Sequence, residues 1–230
     1  MSFIIIIQAR MGSQRFPGKS LFKFYNKPSL EYLIDSLKQQ FNLADIIIAT
    51  SVNSENDVIR EYCIKNNLMH FSGDENNVAS RFVEILKNLK KEYFVRLSGD
   101  SPLFDFRLLQ NGINQINNNS EIISTIFETR FPSGMNFEIF RKDIFLNSVS
   151  KFSKESHFEH VTKYFYENSS GYNIQQIIPI VRDYKKYNFS FDTKEDANRI
   201  KKILENITKP HYFYTFVDKC KLYDTLFNHA

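Results

Sequence analysis

The sequence predicts an α/β domain with a mostly parallel central sheet and a small inserted lobe. Three observations lead there. Short apolar runs rich in β-branched residues, at 3–8, 45–50 and 93–97, have the length and composition of strands buried on both faces. Segments with apolar residues at helical spacing lie between them. Each of these strands also gives way to a polar, turn-rich loop before the next helix, which is the punctuation of units joined by right-handed crossovers.

The elements follow in order. Strand 3–8 contains four consecutive isoleucines. Pro28 suits a first helical position and opens a helix with Leu30, Leu33, Ile34 and Leu37 on one face. After the strand at 45–50, Ser54 and Asp57 fit a capping box for a helix through Val58, Tyr62 and Ile64. A short strand at 68–71 precedes a helix with Val78, Phe82, Ile85, Leu86 and Leu89 on one side. Strand 93–97 ends at Ser98-Gly99-Asp100-Ser101-Pro102, and a helix near 103–116 leads to a strand at 121–126. The second half is less regular. It reads as strands at 136–140, 173–178 and 187–191, with a helix at 155–166. Thr193 and Asp196 cap a helix through Ile200, Ile203 and Leu204, and a last helix spans 216–227. Without internal repeats or a Pro/Gly/Ser linker, one domain is expected over 1–230, with the lobe inserted around 130–180.

Charge narrows the partners. The formal net charge of +4 is small for 230 residues, and no block of five or more like charges appears, so a general nucleic-acid binder is not indicated. The first apolar run is too short for a signal peptide or a spanning helix, and no other stretch approaches membrane length. Cys63 and Cys220 lack metal-ligand spacing and read as buried free thiols of a reducing cytosol.

In a sheet of this kind, ligands bind at the carboxyl ends of strands near a switch in strand order. The loop after the first strand carries Arg10, Arg15 and Lys19, the hydroxyl of Ser13, and two glycines, Gly12 and Gly18. Glycines permit a tight turn whose amides form an anion nest, while arginine forks and a lysine point charge bind phosphate oxygens. Neither the Walker string nor the dinucleotide fingerprint is present. The composition suits a polyanion; a solvated basic connection is the alternative.

The string from Gln8 to Lys19 fits Q-A-R-M-G-S-x-R-x-P-G-K, with Phe16 where leucine is frequent. It resembles the signature loop of the cytidylyltransferases that make CMP-activated sugars. That family includes the CMP-sialate and CMP-Kdo synthetases and the SpsF-like spore-coat polysaccharide branch, which this chain resembles most. The resemblance implies a Rossmann-like nucleotide-diphospho-sugar transferase fold. It also implies a nucleotide-binding role for Gln8, Ala9, Arg10, Gly12, Ser13, Arg15 and Lys19 around the triphosphate of CTP.

Other segments extend the resemblance. Asp100, just past a buried strand, suits either a turn or a metal site; its segment Arg96-Leu97-Ser98-Gly99-Asp100-Ser101-Pro102-Leu103 resembles R-L-x-G-D-x-P-L, which implies Mg2+ binding. Asp105 reads instead as a helix N-terminal residue. Asp192, otherwise a plain helix cap, lies in a segment similar to V-D-T-x-E-D, which implies a second Mg2+ carboxylate. Residues 71–82 resemble G-x-x-x-D-V-L-x-R-[FY] and imply Gly73 and Arg81 near the nucleotide base, with Asn77 in place of aspartate. Residues 131–138 resemble P-x-G-x-[DN]-x-E and imply acceptor contacts for Gly134, Asn136 and Glu138. His157 and His160, in a segment similar to E-x-E-H-V-T, sit at i, i+3 on one expected helix face. They read as a hydrogen-bonded pair near the acceptor, to which His160 is assigned, or near a dimer interface; zinc would require a third ligand.

The resemblance covers 4–204. It implies Mg2+-dependent transfer of CMP from CTP to a sugar or sugar acid, with pyrophosphate released, in bacterial surface glycan biosynthesis. Arg10, Arg15, Lys19 and Asp100 would be catalytic, in a cytoplasmic homodimer without nucleic-acid or membrane partners. Two alternatives stand beside it. One is a nucleotidyltransferase with another triphosphate or a phosphorylated non-sugar acceptor, prompted by Asn77 and Asn136. The other is a nucleotide-binding module without turnover.

Overall fold

Ile4, Ile5, Ile6 and Ile7 lie at the centre of the molecule, each essentially inaccessible to solvent. The computed structural model describes residues 2–127, 130–179 and 184–227. Its strands are β1 (Phe3–Gln8), β2 (Lys23–Phe24), β3 (Lys27–Pro28), β4 (Ile46–Ser51), β5 (Met69–Gly73), β6 (Tyr93–Ser98), β7 (Ile122–Ser124), β8 (Glu138–Arg141) and β9 (Ile174–Gln176). Its helices are α1 (Ser29–Leu37), α2 (Asp57–Lys65), α3 (Val78–Lys87), α4 (Phe106–Asn114), α5 (Lys142–Val149), α6 (Glu155–Glu159), α7 (Lys163–Glu167), α8 (Lys194–Glu205) and α9 (Phe216–Phe227).

Seven strands form one sheet in the order β5-β4-β1-β6-β8-β7-β9. β1 pairs in parallel with β4 on one side and β6 on the other. The chain therefore steps outward from β1 through β4 to β5, then returns to the opposite flank of β1. That reversal is the switch point at which α/β sheets open a crevice. β8 is antiparallel to both β6 and β7, while β9 runs parallel to β7. Strands β8 and β9 come from the span expected as an inserted lobe, and both join the main sheet.

Alternation along β1 divides the core. Ile5 and Ile7 face a layer containing Leu33 of α1, Ile59 of α2, Leu109 of α4 and Ile200 of α8. Ile4 and Ile6 face Phe82 of α3, Phe145 of α5 and Phe165 of α7. Phenylalanines dominate this second layer, with Phe94 and Phe140 stacked at 5.5 Å and Phe94 edge-on to Phe145 at 5.0 Å. Cys63 and Cys220 are buried and not joined in a disulfide.

Several expectations need correction. Pro28 precedes α1 as its N-cap, after a two-residue hairpin whose turn residues Tyr25 and Asn26 have φ of 51° and 66°. This primed-type turn uses no glycine, so it leaves little trace in the sequence. Ser54 sits in a 3-10 turn and forms no capping box; α2 buries Ile59 and Cys63, while Val58 and Ile64 are exposed. The expected helix at 155–166 is two short helices, α6 and α7, broken where Val161 adopts φ 55°. Residues 187–191 form no strand and contribute only an isolated bridge between Asn188 and Ser133. Helix α5 was not anticipated.

That bridge makes Gly134 indispensable. Its φ is +82°, and a β-carbon there would lie 2.5 Å from the carbonyl carbon of Phe189 and from the amide nitrogen of Ser190. Gly134→Ala should lower the urea midpoint with an unchanged m-value, corresponding to a loss of about 2 kcal/mol or more.

Candidate active site

Three loops meet above the ends of β1 and β6. The first leaves β1 and folds back on itself, with the Gly18 amide donating to the Met11 carbonyl at 2.8 Å. Gly18 adopts φ 78°, and the chain then enters a 3-10 turn at Lys19–Leu21. The backbone at Lys19 is fixed from α1, where the Ser29 hydroxyl donates to the Lys19 carbonyl at 2.7 Å. The second loop leaves β6 and lies directly on the end of β1. The Gly99 amide donates to the Gln8 carbonyl at 2.8 Å, and a β-carbon at Gly99 would be 2.8 Å from that same oxygen. The third precedes α8 and is tied to the second through the Phe191 amide, which donates to the Asp100 carbonyl at 3.3 Å.

These tethers place two carboxylates on one ammonium. Lys19 Nζ is 2.6 Å from Asp100 Oδ2 and 2.6 Å from Asp192 Oδ1. Arg15 Nη2 reaches Asp192 Oδ2 at 2.8 Å from a largely exposed position, where such a pair adds little. Lys19 is mostly buried. Burial alone pulls its pKa down, but the charges and hydrogen bonds of Asp100 and Asp192 outweigh it and raise the ammonium above its ordinary value. Asp192 does not serve as the helix cap. Thr193 and Asp196 form the expected capping box of α8, with Asp196 accepting from the Asp192 and Thr193 amides.

Two converging carboxylates provide the hard-oxygen donors that magnesium takes when substrate phosphates complete its shell. Among the described residues no group of three or more His, Cys, Asp or Glu side chains could form an all-protein cage. The donor set therefore fits Mg2+ carried with a phosphate ligand.

The remaining residues surround three cavities. One of about 280 Å3 is lined by Gln8, Ala9, Arg10, Lys19, Arg81 and His160, among others. A wider one of about 700 Å3 lies beside it, against Arg10, Gly12, Glu75, Asn77 and Phe158. Arg10 spans the two and pairs with Glu75 at 3.3 Å and more loosely with Glu159 at 3.8 Å. Ser13 lies in the folded loop, its amide donating to Met11 at 2.9 Å. Arg81 is buried. Its Nε and Nη2 donate to the carbonyls of Asp74 and Glu75 at 2.6 and 2.9 Å, so it also holds the loop that carries Glu75. A β-carbon at Gly73 would lie 3.0 Å from the Arg81 side chain, so the glycine leaves that path clear. Asn77 caps α3 through Ser80, a role open equally to aspartate.

A third cavity, about 220 Å3, contains Gly134, Asn136 and Glu138 in its wall. The Asn136 Oδ1 is buried with no partner among the described residues. Glu138 is fully buried, and its two oxygens accept from Arg96 Nη1 and from the Tyr166 hydroxyl. It therefore supports the site more than it offers a free carboxylate. The two histidines are not a pair. His157 is buried in α6 with Nε2 3.0 Å from Glu167 Oε2, whereas His160 follows the helix and reaches the 280 Å3 cavity. Asp105 caps α4, accepting from the Arg107 and Phe216 amides.

Sequence reading did not assign Arg96, Tyr166, Glu159 or Asn56. Arg96 has a recognisable signal, a lone cation inside an otherwise apolar strand. Asn56, buried, accepts from the Met11 amide at 2.8 Å and steadies the first loop from the 3-10 turn that precedes α2; no local pattern announces it.

The cytidylyltransferase family profile matches residues 4–218. The spore coat polysaccharide biosynthesis protein SpsF of Bacillus subtilis is 30% identical over 209 residues, covering 88% of this chain and 86% of that protein. A solved cytidylyltransferase from Leptospira borgpetersenii superposes with a TM-score of 0.92 at 27% identity, over 98% of this chain and 94% of that one. The structure of CMP:2-keto-3-deoxy-manno-octonic acid synthetase complexed with CTP shares the fold, with a TM-score of 0.61 at 17% identity, over 89% and 99% of the two chains.

The raised Lys19 pKa has a defined pH signature. Its contribution to stability is complete below the unfolded value of 10.5 and is lost as pH rises through the higher folded value. Urea unfolding of the wild type and Lys19→Met should therefore differ by a constant amount between neutral pH and the unfolded lysine pKa, and the difference should shrink above it.

Proposed function

Because the chain belongs to the cytidylyltransferase family, we propose that it transfers CMP from CTP to a sugar or sugar acid and releases pyrophosphate. The observation that carries this reading is the convergence of Lys19 on Asp100 and Asp192 at the strand switch point. A triphosphate with its counter-cation has there both the positive charges that suit a leaving pyrophosphate and the carboxylates that suit a metal. The SpsF relative's role in spore-coat polysaccharide supports a place in surface glycan synthesis. No helix among the described residues is long and apolar enough to cross a membrane. We assign the reaction to the cytoplasm, where CTP is made.

In this mechanism Arg10, Arg15 and Lys19 bind the phosphates, and the Gly12–Gly18 turn lets the backbone approach them. Lys19 exchanges its carboxylate partners for phosphate oxygens as the nucleotide enters. Asp100 and Asp192, relieved of the ammonium, would hold Mg2+. When bound, the ion supplies charge neutralisation across phosphate oxygens. An acceptor oxygen from the side of Gly134 and Asn136 forms a bond to the α-phosphorus as the bond to pyrophosphate breaks in line. The chain's contribution is positioning and electrostatic stabilisation.

Asn77, where the family usually has aspartate, favours testing the nucleotide directly. Pyrophosphate release should be measured with CTP, GTP, ATP and UTP over a panel of Kdo, N-acetylneuraminate and sugar phosphates. Turnover with CTP is expected; turnover with GTP alone would overturn the cytidylyl assignment. Asp100→Asn and Asp192→Asn should each lower kcat by a factor on the order of 10². EDTA should abolish turnover, and added Mg2+ should restore it.

A further inference from the structure

The 280 Å3 cavity beside the basic loop and the 220 Å3 cavity beside Gly134 share three residues in their walls: Arg96, Ser98 and Asp100. On the reading above, the nucleotide occupies the first space and the acceptor the second. The bond that is exchanged must lie where the two meet. Asp100 is already given to the metal. The cation at this junction is Arg96.

Arg96 is held with unusual thoroughness. Its Nε donates to Gln8 Oε1 at 2.5 Å, while Nη1 donates to Glu138 and, at 3.4 Å, to Thr162 Oγ1. The other terminal nitrogen, Nη2, has no partner among the described residues. Behind it, Glu138 is directly opposite Arg96 in the β6–β8 register and is fully buried. Tyr166 donates to the second Glu138 oxygen, and its hydroxyl lies 2.9 Å from Ser124 Oγ. Burial, and then the Glu138 charge, push the Tyr166 phenol well above its ordinary pKa, so it remains a donor. A guanidinium fixed on two sides with one N–H-bearing edge unspent is a preorganised anion ligand.

We propose that Arg96 is a catalytic residue that binds the α-phosphoryl group as it passes between nucleotide and acceptor, with Gln8, Glu138 and Tyr166 acting as its positioning residues. The charged fork meets the non-bridging oxygens of the α-phosphate. The Arg96–Glu138 pair balances its own charge in the free protein, so the site holds a partly buried cation, and Glu138 a fully buried carboxylate, before substrate arrives.

The inference rests on the nucleotide reading, and the test separates the two. Isothermal titration with CMP and with cytidine isolates the α-phosphate, because the ligands differ in that group alone. The wild type should prefer CMP. Arg96→Gln should weaken CMP by about tenfold or more and change cytidine binding less than about twofold. Arg96→Lys should recover part of the CMP preference, and Glu138→Gln should reduce it to an intermediate extent. Equal losses for CMP and cytidine in Arg96→Gln, or no loss for CMP, would overturn the assignment. If the wild type instead binds GMP or another monophosphate and not CMP, the base assignment fails. The same comparison, made with that monophosphate and its nucleoside, still decides the role of Arg96. Circular dichroism and thermal unfolding of each variant identify any that fail to fold; for those, Arg96→Lys supplies the deciding comparison.

Discussion

Asp100 and Asp192, from two different loops, meet on the single ammonium of Lys19. Two carboxylates that converge repel, and Lys19 offsets that repulsion by bonding to both. The surrounding architecture serves that arrangement. Gly99 allows the β6 loop to rest on the end of β1, and the Asp100 carbonyl catches the chain leading to Asp192. Ser29 and Gly18 set the path of the backbone that delivers the ammonium. None of these contacts involves a long surface side chain. The geometry is fixed by backbone contacts and by the short buried hydroxyl of Ser29, which leaves it little freedom.

Local patterns made the parallel half of the fold legible. The bounds of β1 read directly from its isoleucines, and the capping box of Thr193 and Asp196 lies where its spacing indicates. The loop composition and the string from Gln8 to Lys19 pointed to phosphate before any contact was visible. What escaped has physical reasons. The β2–β3 hairpin turns through Tyr25 and Asn26, neither a glycine. Val161, a β-branched residue, takes a left-handed conformation that no propensity would assign to it, and so one expected helix becomes two. Residues 187–191 have strand-like composition because Tyr187, Phe189 and Phe191 are core residues, not because they join a ladder.

Roles set by distant partners were harder to read. Glu138 looks like a free ligand in the sequence, yet the antiparallel entry of β8 places it against Arg96 and consumes both oxygens. The end of α6 separates His157 from His160: one is packed against α7 through Glu167, and the other opens onto the cleft. The Arg96–Glu138 pairing depends on where the chain re-enters the sheet, which no short window encodes.

Asp192 follows Lys19 by 173 positions. Proteins emerge from the ribosome amino end first. The strands β1, β4, β5 and β6 and the basic loop are all synthesised well before that aspartate. The residues that pack around Asp192, including Phe191 and Ile200, are likewise late in the chain and share the core of β1, so the contact between Lys19 and Asp192 can form only once most of the chain has been made.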